Sequence, residues 1–264
     1  MLEIKNISKT FNANTVNEKL ALNDISLTLN DGDFVTVIGG NGAGKSTLLN
    51  AIAGTFKVDC GSIVLDGTDV TNIPEYKRAK FLGRVFQDPM MGTAAGMQID
   101  ENLAIASLRG KRHTLRWGVS QEQRLQYREL LKQLDLGLED RLTTKVGLLS
   151  GGQRQAVTLL MAAMNKPSLL LLDEHTAALD PKTAEKVLNI TDKIVNENKL
   201  TTLMITHNMK DAIEHGNRLI MLHNGKIIID VSGEEKSKLT VESLLGMFNT
   251  VSGSVFANDR AILS

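Results

Sequence analysis

The stretch Gly39-Gly40-Asn41-Gly42-Ala43-Gly44-Lys45-Ser46-Thr47 has residue types and a spacing suited to holding a chain of phosphates. It matches G-x-x-x-x-G-K-[ST], the phosphate-binding loop of nucleoside triphosphatases. Glycines let backbone N–H groups curl round phosphate oxygens with no Cβ in the way. Lys45 puts a point charge on the β- and γ-phosphates, and the Ser46 hydroxyl is placed to ligate Mg²⁺. The competing reading is a chance match in a Gly-rich turn, and the flanking pattern weighs against it. Further along, Asp173-Glu174 and Ser150-Gly151-Gly152-Gln153 are the other places where chemistry-bearing residues gather.

These groups need elements to position them. Phe34 to Ile38 reads as a buried strand running into the loop, and Ser46 to Ala53 as a helix with Leu48, Leu49 and Ile52 on its apolar side, stopped by Gly54. The loop therefore sits at a helix N-terminus, where orphan N–H groups and the macrodipole favour anions. Ser150 can N-cap a second helix with Gln153 closing a capping box. Its apolar side is Val157, Leu160, Met161 and Met164, and Pro167 is its expected stop. Leu169 to Leu172 is a continuous apolar strand of the kind covered on both faces in a parallel sheet. It delivers Asp173 and Glu174 at its C-terminal end, where open α/β sheets bind ligands.

The remaining chain supplies the frame. Residues 1–29 read as strands and turns, with Phe11 expected in a polar loop just after the first strand. There it either stacks on a nucleobase or is a small core aromatic. Ser120 to Gln123 is a capping box before a helix whose apolar side is Leu125, Leu130, Leu131 and Leu134. Met90 to Met97 is Gly- and Met-rich, a loop able to adapt to a partner or simply mobile. Arg109 to Trp117 is basic and is expected to be a solvated loop, the alternative being contact with lipid headgroups or a partner. Pro181 to Asn198 is an amphipathic helix, Leu200 to Thr206 a strand ending at His207, and Asn208 a cap for the next helix. Asn224-Gly225 between two apolar runs signals a hairpin. The tail is polar from Glu234 and then carries a short apolar helix around Leu244, Leu245, Met247 and Phe248.

Composition narrows the classes. A chain of 264 residues can bury a substantial core. With 30 Lys+Arg against 30 Asp+Glu, net charge gives no push toward nucleic acid, and no nucleic-acid partner is expected. Cys60 is the one cysteine, so no intrachain disulfide is possible and a reducing compartment is the simpler reading. Met1-Leu2-Glu3-Ile4-Lys5 lacks the pattern of a signal peptide. No apolar run has membrane-spanning length, so any spanning part must come from other chains.

In order, the chain carries a phosphate loop, Gln87, Leu149-Ser150-Gly151-Gly152-Gln153-Arg154-Gln155, the Leu169–Leu172 strand with Asp173-Glu174, Asp180, and Thr206-His207. This resembles the ATP-binding-cassette ATPases over nearly the whole chain, and the Leu-Ser-Gly-Gly-Gln stretch is that family's own signature. The resemblance implies an α/β fold: a RecA-like parallel-sheet core, an N-terminal antiparallel β-subdomain and an inserted α-helical subdomain. It places one nucleotide-binding domain over residues 1–235, with the helical insertion at about 88–166, and a short tail over 236–264. Glu174 resembles the general base that orients the attacking water, and His207 the histidine on the γ-phosphate. Gln87 resembles the glutamine that touches Mg²⁺ and that water. Asp173 ends a buried strand, where a carboxylate is costly without a cation, and Mg²⁺ shared with Ser46 would be that cation. Phe11 takes the position of the adenine-stacking aromatic.

Two half-sites per chain, the phosphate loop and the helix start at Ser150 and Gly152, imply head-to-tail pairing of two cassettes with two ATPs between them and Asp180 at the seam. The implied partners are a second cassette, with a homodimer expected, an integral-membrane permease, and a separate substrate-binding lipoprotein. The implied place is the cytoplasmic face of the cell membrane. His175 departs from the family, which usually has Pro there, and is expected to be a structural or surface substitution rather than a catalytic group. The run from Glu174 to Pro181 resembles a subgroup paired with branched-chain-amino-acid-type permeases, for which aromatic amino acids are among the suggested cargoes. The expectation is an importer ATPase. The alternatives are an exporter-type cassette and a non-transport cassette acting as an assembly or scaffold module.

Overall fold

The structure, a computed structural model, describes residues 1–111 and 118–252. Arg112 to Trp117, most of the basic stretch, lie outside the described residues. The first part of the chain forms β1 (Leu2–Phe11), β2 (Lys19–Leu29), β3 (Phe34–Ile38), α1 (Lys45–Ala53), β4 (Cys60–Leu65), β5 (Thr68–Asp69) and α2 (Glu75–Arg78). Next come β6 (Leu82–Val85), α3 (Ile99–Ser107), α4 (Gln121–Lys132), a 3-10 turn (Val146–Leu148), α5 (Gly151–Ala163), β7 (Leu169–Asp173) and α6 (Pro181–Asn198). Then follow β8 (Thr202–Ile205), α7 (Met209–Glu214), β9 (Arg218–His223), β10 (Lys226–Ser232), α8 (Gly233–Ser237) and α9 (Val241–Ser252). The chain forms two compact units, Met1–Arg78 with the stretch from Thr201 onward, and Ala79–Leu200.

The first unit holds an antiparallel sheet in the order β2-β1-β4-β5. The alternation of buried Leu2 and Ile4 is reset at Asn6, whose φ of 50° marks a bulge before buried Ile7. In the same unit β3 lies between β8 and β9 and runs parallel to both, and β10 returns antiparallel on β9. All five residues of β3 are buried, and Thr36, the one polar residue among them, donates its hydroxyl to the Ala212 carbonyl at 2.8 Å. Helix α1 starts at Gly44 (φ 107°) and stops at Gly54 (φ 85°). Arg78, almost fully buried, donates to the carbonyls of Ala51 and Ile52 in the last turn of α1 and to those of Thr71 and Ile73. A cation on the last carbonyls complements the helix dipole and fixes the far end of the helix that carries the phosphate loop. The C-terminal helix is not a loose appendage: Leu244 and Phe248 pack with Met209, Leu219, Met221 and Ile229 in one cluster.

In the second unit β6 and β7 pair in parallel, and α3, α4, α5 and α6 surround a core of their own. Helix α6 matches its expected bounds. Asp180 caps it by accepting from the Thr183 N–H, Pro181 is its first residue, and Lys199 ends it in the left-handed region. Two expectations need correction. Leu125 is 63% exposed, so the buried side of α4 is Tyr127 and Leu131. Helix α5 ends at Ala163, ahead of Pro167, because the backbone turns at Lys166 (φ 46°). Among the described residues no helix is long and apolar enough to cross a membrane.

Candidate functional site

The phosphate loop belongs to the first unit, and its shape follows from what crowds it. A Cβ at Gly39 (φ 150°) would sit 2.3 Å from the Leu222 carbonyl oxygen, and one at Gly44 would sit 2.6 Å from that of Ala21. Both positions therefore demand glycine on two counts, conformation and space. The β9–β10 turn clamps the loop from outside, since Gly225 N–H donates to the Ala43 carbonyl (2.9 Å) and Asn23 N–H to that of Gly225 (2.8 Å). That turn is the hairpin expected from Asn224-Gly225, with both residues at positive φ. Lys45 is buried, and its ammonium donates to the loop's own carbonyls, Gly39 at 2.7 Å and Gly40 at 3.3 Å. The loop is thus wound round a positive charge, beside a helix N-terminus that no side chain caps. Asn41, Gly42 and Ser46 are exposed, Thr47 is half-buried, and Ala43 is buried beneath the loop.

Phe11 is placed differently from expectation: it is the last residue of β1, not part of the following loop. The strand pairing holds it opposite Lys19. Its ring meets Phe56 edge-on, centroids 5.2 Å apart, with the Lys9 ammonium 5.7 Å from both centroids. Lys9 in turn donates to Asp59, which also accepts from Thr10 N–H, and these bonds hold the Asp59 carboxyl below its ordinary range. Lys19 is a residue the sequence reading missed. A Cβ at Gly42 would lie 2.9 Å from its Nζ, so a second cation stands at the tip of the phosphate loop. Only the tertiary packing of the start of β2 against the loop reveals it, and a lone lysine at a strand start carries no such signal. His207 is exposed in the link between β8 and α7. The link is fixed on one side by Thr206 N–H donating to the Val37 carbonyl and on the other by Asn208 capping α7.

The second unit holds Gln87, Ser150 to Gln153, Asp173, Glu174 and Asp180. Gln87 is exposed just past β6. Ser150 accepts from Gln153 N–H (3.3 Å) while Gln153 Oε1 accepts from Ser150 N–H (3.2 Å), the expected capping box. A Cβ at Gly151 would come 3.2 Å from Leu179 Cδ2, and one at Gly152 would come 2.2 Å from Thr183 Cγ2. The start of α5 and the start of α6, with its cap Asp180, therefore form one corner. Bonds from Thr183 keep the Asp180 carboxyl below its ordinary range. Asp173 ends β7 with its side chain 16% exposed, and Arg84 on β6 stands 3.6 Å from its carboxylate and over the Phe86 ring. Arg84 is thus a cation for Asp173 within the chain, which removes the argument that burial alone requires a metal there. Nothing in the sequence pattern marks Arg84, because its neighbour depends on the parallel register of β6 on β7. His175 is 2% exposed, which excludes the surface reading of this departure from the family pattern.

Ser46 in the first unit, and Gln87 and Asp173 in the second, carry hydroxyl, amide and carboxylate oxygens, the hard donors that Mg²⁺ takes. Among the described residues no group of three His, Cys, Asp or Glu could hold a metal, and a site completed by substrate oxygens needs none.

The family described as ABC transporter matches residues 22–177. The tyrosine transport ATP-binding protein of Clostridioides difficile is 48% identical over 94% of this chain and 98% of its own length. A spermidine/putrescine import ATP-binding protein of Haemophilus influenzae is 34% identical over 97% of this chain, which spans 65% of that longer protein. The ATP-binding cassette MJ0796, solved as a dimer in a post-hydrolysis state with ADP and Pi, aligns at TM-score 0.74 and 30% identity. That alignment covers 88% of this chain and 98% of the cassette. A second cassette, MJ1267, aligns at TM-score 0.76 and 28% identity over 94% of this chain and 98% of its own. The chain belongs to the ABC transporter family. It is an ATP-binding, ATP-hydrolysing subunit with the RecA-like core, N-terminal antiparallel β-subdomain and inserted helical subdomain of these cassettes.

Proposed function

We propose that the chain powers a bacterial importer, with an amino acid as cargo, as a peripheral subunit on the cytoplasmic face of the membrane. The observation that carries this reading is its similarity to the tyrosine transport protein over nearly the full length of both chains. An integral-membrane permease and a substrate-binding lipoprotein complete the proposed system, and a second copy of the chain completes the ATPase.

In this reading Lys45 exchanges the Gly39 and Gly40 carbonyls for β- and γ-phosphate oxygens, a charge-assisted and stronger partnership. Lys19 adds a second cation, and Phe11 stacks on the base. Ser46, Asp173 and Gln87 would hold Mg²⁺, which supplies positive charge to the phosphate oxygens when bound. Glu174 accepts a hydrogen bond from the attacking water and points it in line with the γ-phosphate, and Gln87 helps place that water. His207 donates to the γ-phosphate. Ser150 and Gly152 of a second cassette close the site. The Ser150 oxygen accepts within its capping box, which leaves its O–H as the donor toward phosphate. These donors stabilise the charge that spreads over the transferring phosphoryl group.

The test is Glu174→Gln, followed by light scattering with and without Mg-ATP and by an ATPase assay. The expected result is retained ATP binding, turnover reduced at least about a hundred-fold, and an ATP-dependent shift from monomer to dimer. Normal turnover would remove Glu174 from its role. Co-purification with an integral-membrane permease, and stimulation of the ATPase by that permease with a loaded binding protein, test the importer reading. A soluble complex whose ATPase ignores membrane partners would favour the scaffold class instead.

A further inference from the structure

Glu174 has a backbone conformation that its residue type does not favour. Of the ten non-glycine residues at positive φ among those described, seven are Asn or Asp: Asn6, Asn12, Asn14, Asp24, Asp66, Asp135 and Asn224. Short polar side chains tolerate that region. Two more, Lys166 and Lys199, follow the ends of α5 and α6, where chains commonly turn this way. Glu174, at φ 44°, is the remaining one, and it stands at the end of a strand. Such a conformation persists only where the surroundings over-determine it.

Its surroundings show what does this. The Glu174 carbonyl accepts from Ala177 N–H at 3.0 Å, and that of Thr176 from Leu179 N–H at 3.1 Å, so the turn is closed on itself. His175 points into the protein. Its Nε2 lies 3.1 Å from Thr191 Oγ1 in the body of α6, and Thr191 is itself 1% exposed. The Thr191 hydroxyl has one proton, and it is donated to the Val187 carbonyl at 2.9 Å. Thr191 therefore accepts from His175, and the imidazole carries its hydrogen on Nε2. The segment from Glu174 to Asp180 is thus fastened to α6 twice: at the helix start through the Asp180 cap, and further along the same helix through His175. A proline would restrain the turn through its own ring, whereas the imidazole restrains it by a tether to a rigid helix.

We infer that His175 is a positioning residue for Glu174: its bond to Thr191 holds the left-handed turn and so fixes where the neighbouring carboxylate points. This rests on the reading of Glu174 as the group that orients the attacking water. His175 itself touches no substrate in this scheme.

The experiment compares full-length Thr191→Val, His175→Leu, His175→Gln and Glu174→Gln with the unaltered chain. It measures steady-state ATPase, equilibrium binding of a fluorescent ATP analogue, and melting temperature. Thr191→Val keeps the shape and removes the acceptor, so it reads the tether even where His175→Leu folds poorly. The expected result is a fall in kcat of about ten- to a hundred-fold in Thr191→Val and His175→Leu, since small misplacements of a catalytic group cost this much. KM and ATP affinity stay within about two-fold, and His175→Gln, whose amide N–H can reach Thr191, recovers most of the rate. Wild-type kcat in Thr191→Val and His175→Leu, with Glu174→Gln inactive, overturns the inference and leaves the role of Glu174 standing. A parallel loss of ATP affinity and kcat in Thr191→Val also overturns it, because the tether would then support the fold at large. An active Glu174→Gln removes the reading beneath it.

Discussion

Helices α1 and α5 both open on glycine, and both have the look of anion sites, yet they are finished in opposite ways. Helix α1 has Gly44 as its N-cap and no side-chain cap, and the buried ammonium of Lys45 folds back on the loop carbonyls before it. Helix α5 is closed by the Ser150–Gln153 box. The glycines differ as well. Gly39 and Gly44 of the phosphate loop press against backbone oxygens, of Leu222 and Ala21, which cannot move aside, whereas Gly151 and Gly152 press against the side chains of Leu179 and Thr183. The first helix start is therefore a site that the chain leaves for a ligand to complete. The second is closed by its own side chains, the Ser150 oxygen accepting within the capping box. In the proposed function, binding and closure therefore fall to different helix ends.

The largest effect that would break this contrast comes from Lys45→Ala. Its side-chain bonds are to loop carbonyls, so the fold should survive, while a hydrogen-bonded charge on phosphate is removed. We expect ATP affinity to fall about ten- to a hundred-fold and turnover to reach background, as read by equilibrium binding and an ATPase assay. ATP affinity equal to that of the unaltered chain would mean that the loop does not hold the phosphates through this residue.

Next comes a matched pair, Gly39→Ala and Gly151→Ala. The first places a Cβ on the Leu222 carbonyl at positive φ, and the second meets the end of a leucine side chain at 3.2 Å. Gly39→Ala should lose ATP binding and cost about 1–3 kcal/mol in stability. Gly151→Ala should bind ATP normally, with a stability change under about 0.5 kcal/mol. Equal losses in thermal melts and binding titrations would erase the distinction between backbone-walled and side-chain-walled glycines.

Ser150→Ala tests the other half of the comparison. Losing the cap should cost about 1 kcal/mol, a fall of about 2–4 °C in melting temperature for a chain of this size. ATP affinity of the single chain should not change, while ATP-dependent dimerisation in the Glu174→Gln background should weaken. A loss of ATP affinity in the monomer would place Ser150 in the binding step rather than in closure.

The two helix starts were also the most legible parts of the sequence. Gly44, Gly54, Ser150 and Gln153 act through bonds to residues three or four away, which spacing alone reveals. The same holds for β3, β7 and α6, whose bounds follow from a mostly apolar run or from Asp-Pro at a helix start. What escaped depends on register between distant strands and helices. Arg84 beside Asp173, Lys19 at the tip of the phosphate loop and Thr191 beneath His175 are neighbours only once β6 is aligned on β7, the start of β2 is packed on the loop and the turn on α6. Phe11 was misplaced for a related reason, because polar Asn12 to Asn14 conceal that the β1 ladder continues to the pair Phe11–Lys19.

The smallest effect compares a depressed carboxylate from each unit. Asp59 is held low first by the Lys9 ammonium and then by Thr10 N–H, and Asp180 first by the Thr183 side chain and then by its N–H. A carboxyl whose folded pKa lies below its ordinary value of 3.8 adds stability above that pH, and loses it as pH falls through the folded value. Asparagine caps a helix about as well as aspartate, so Asp180→Asn should leave the melting temperature nearly unchanged at pH 7. Asp59→Asn replaces the charge that Lys9 needs, on an exposed pair whose contribution is at most about 1 kcal/mol. Its melting temperature should lie below that of the unaltered chain at pH 7, and the two should converge only as pH falls from 3.8 through the lowered folded value at which the wild-type carboxyl takes up its proton. Because Lys9 also stands by the Phe11 and Phe56 rings, Asp59→Asn should, if Phe11 stacks on the base as proposed, weaken ATP binding slightly while leaving ATP-driven dimerisation unchanged once the site is saturated. A stability gap that keeps its size below that folded value would show that the carboxylate charge is not what fastens the end of β1.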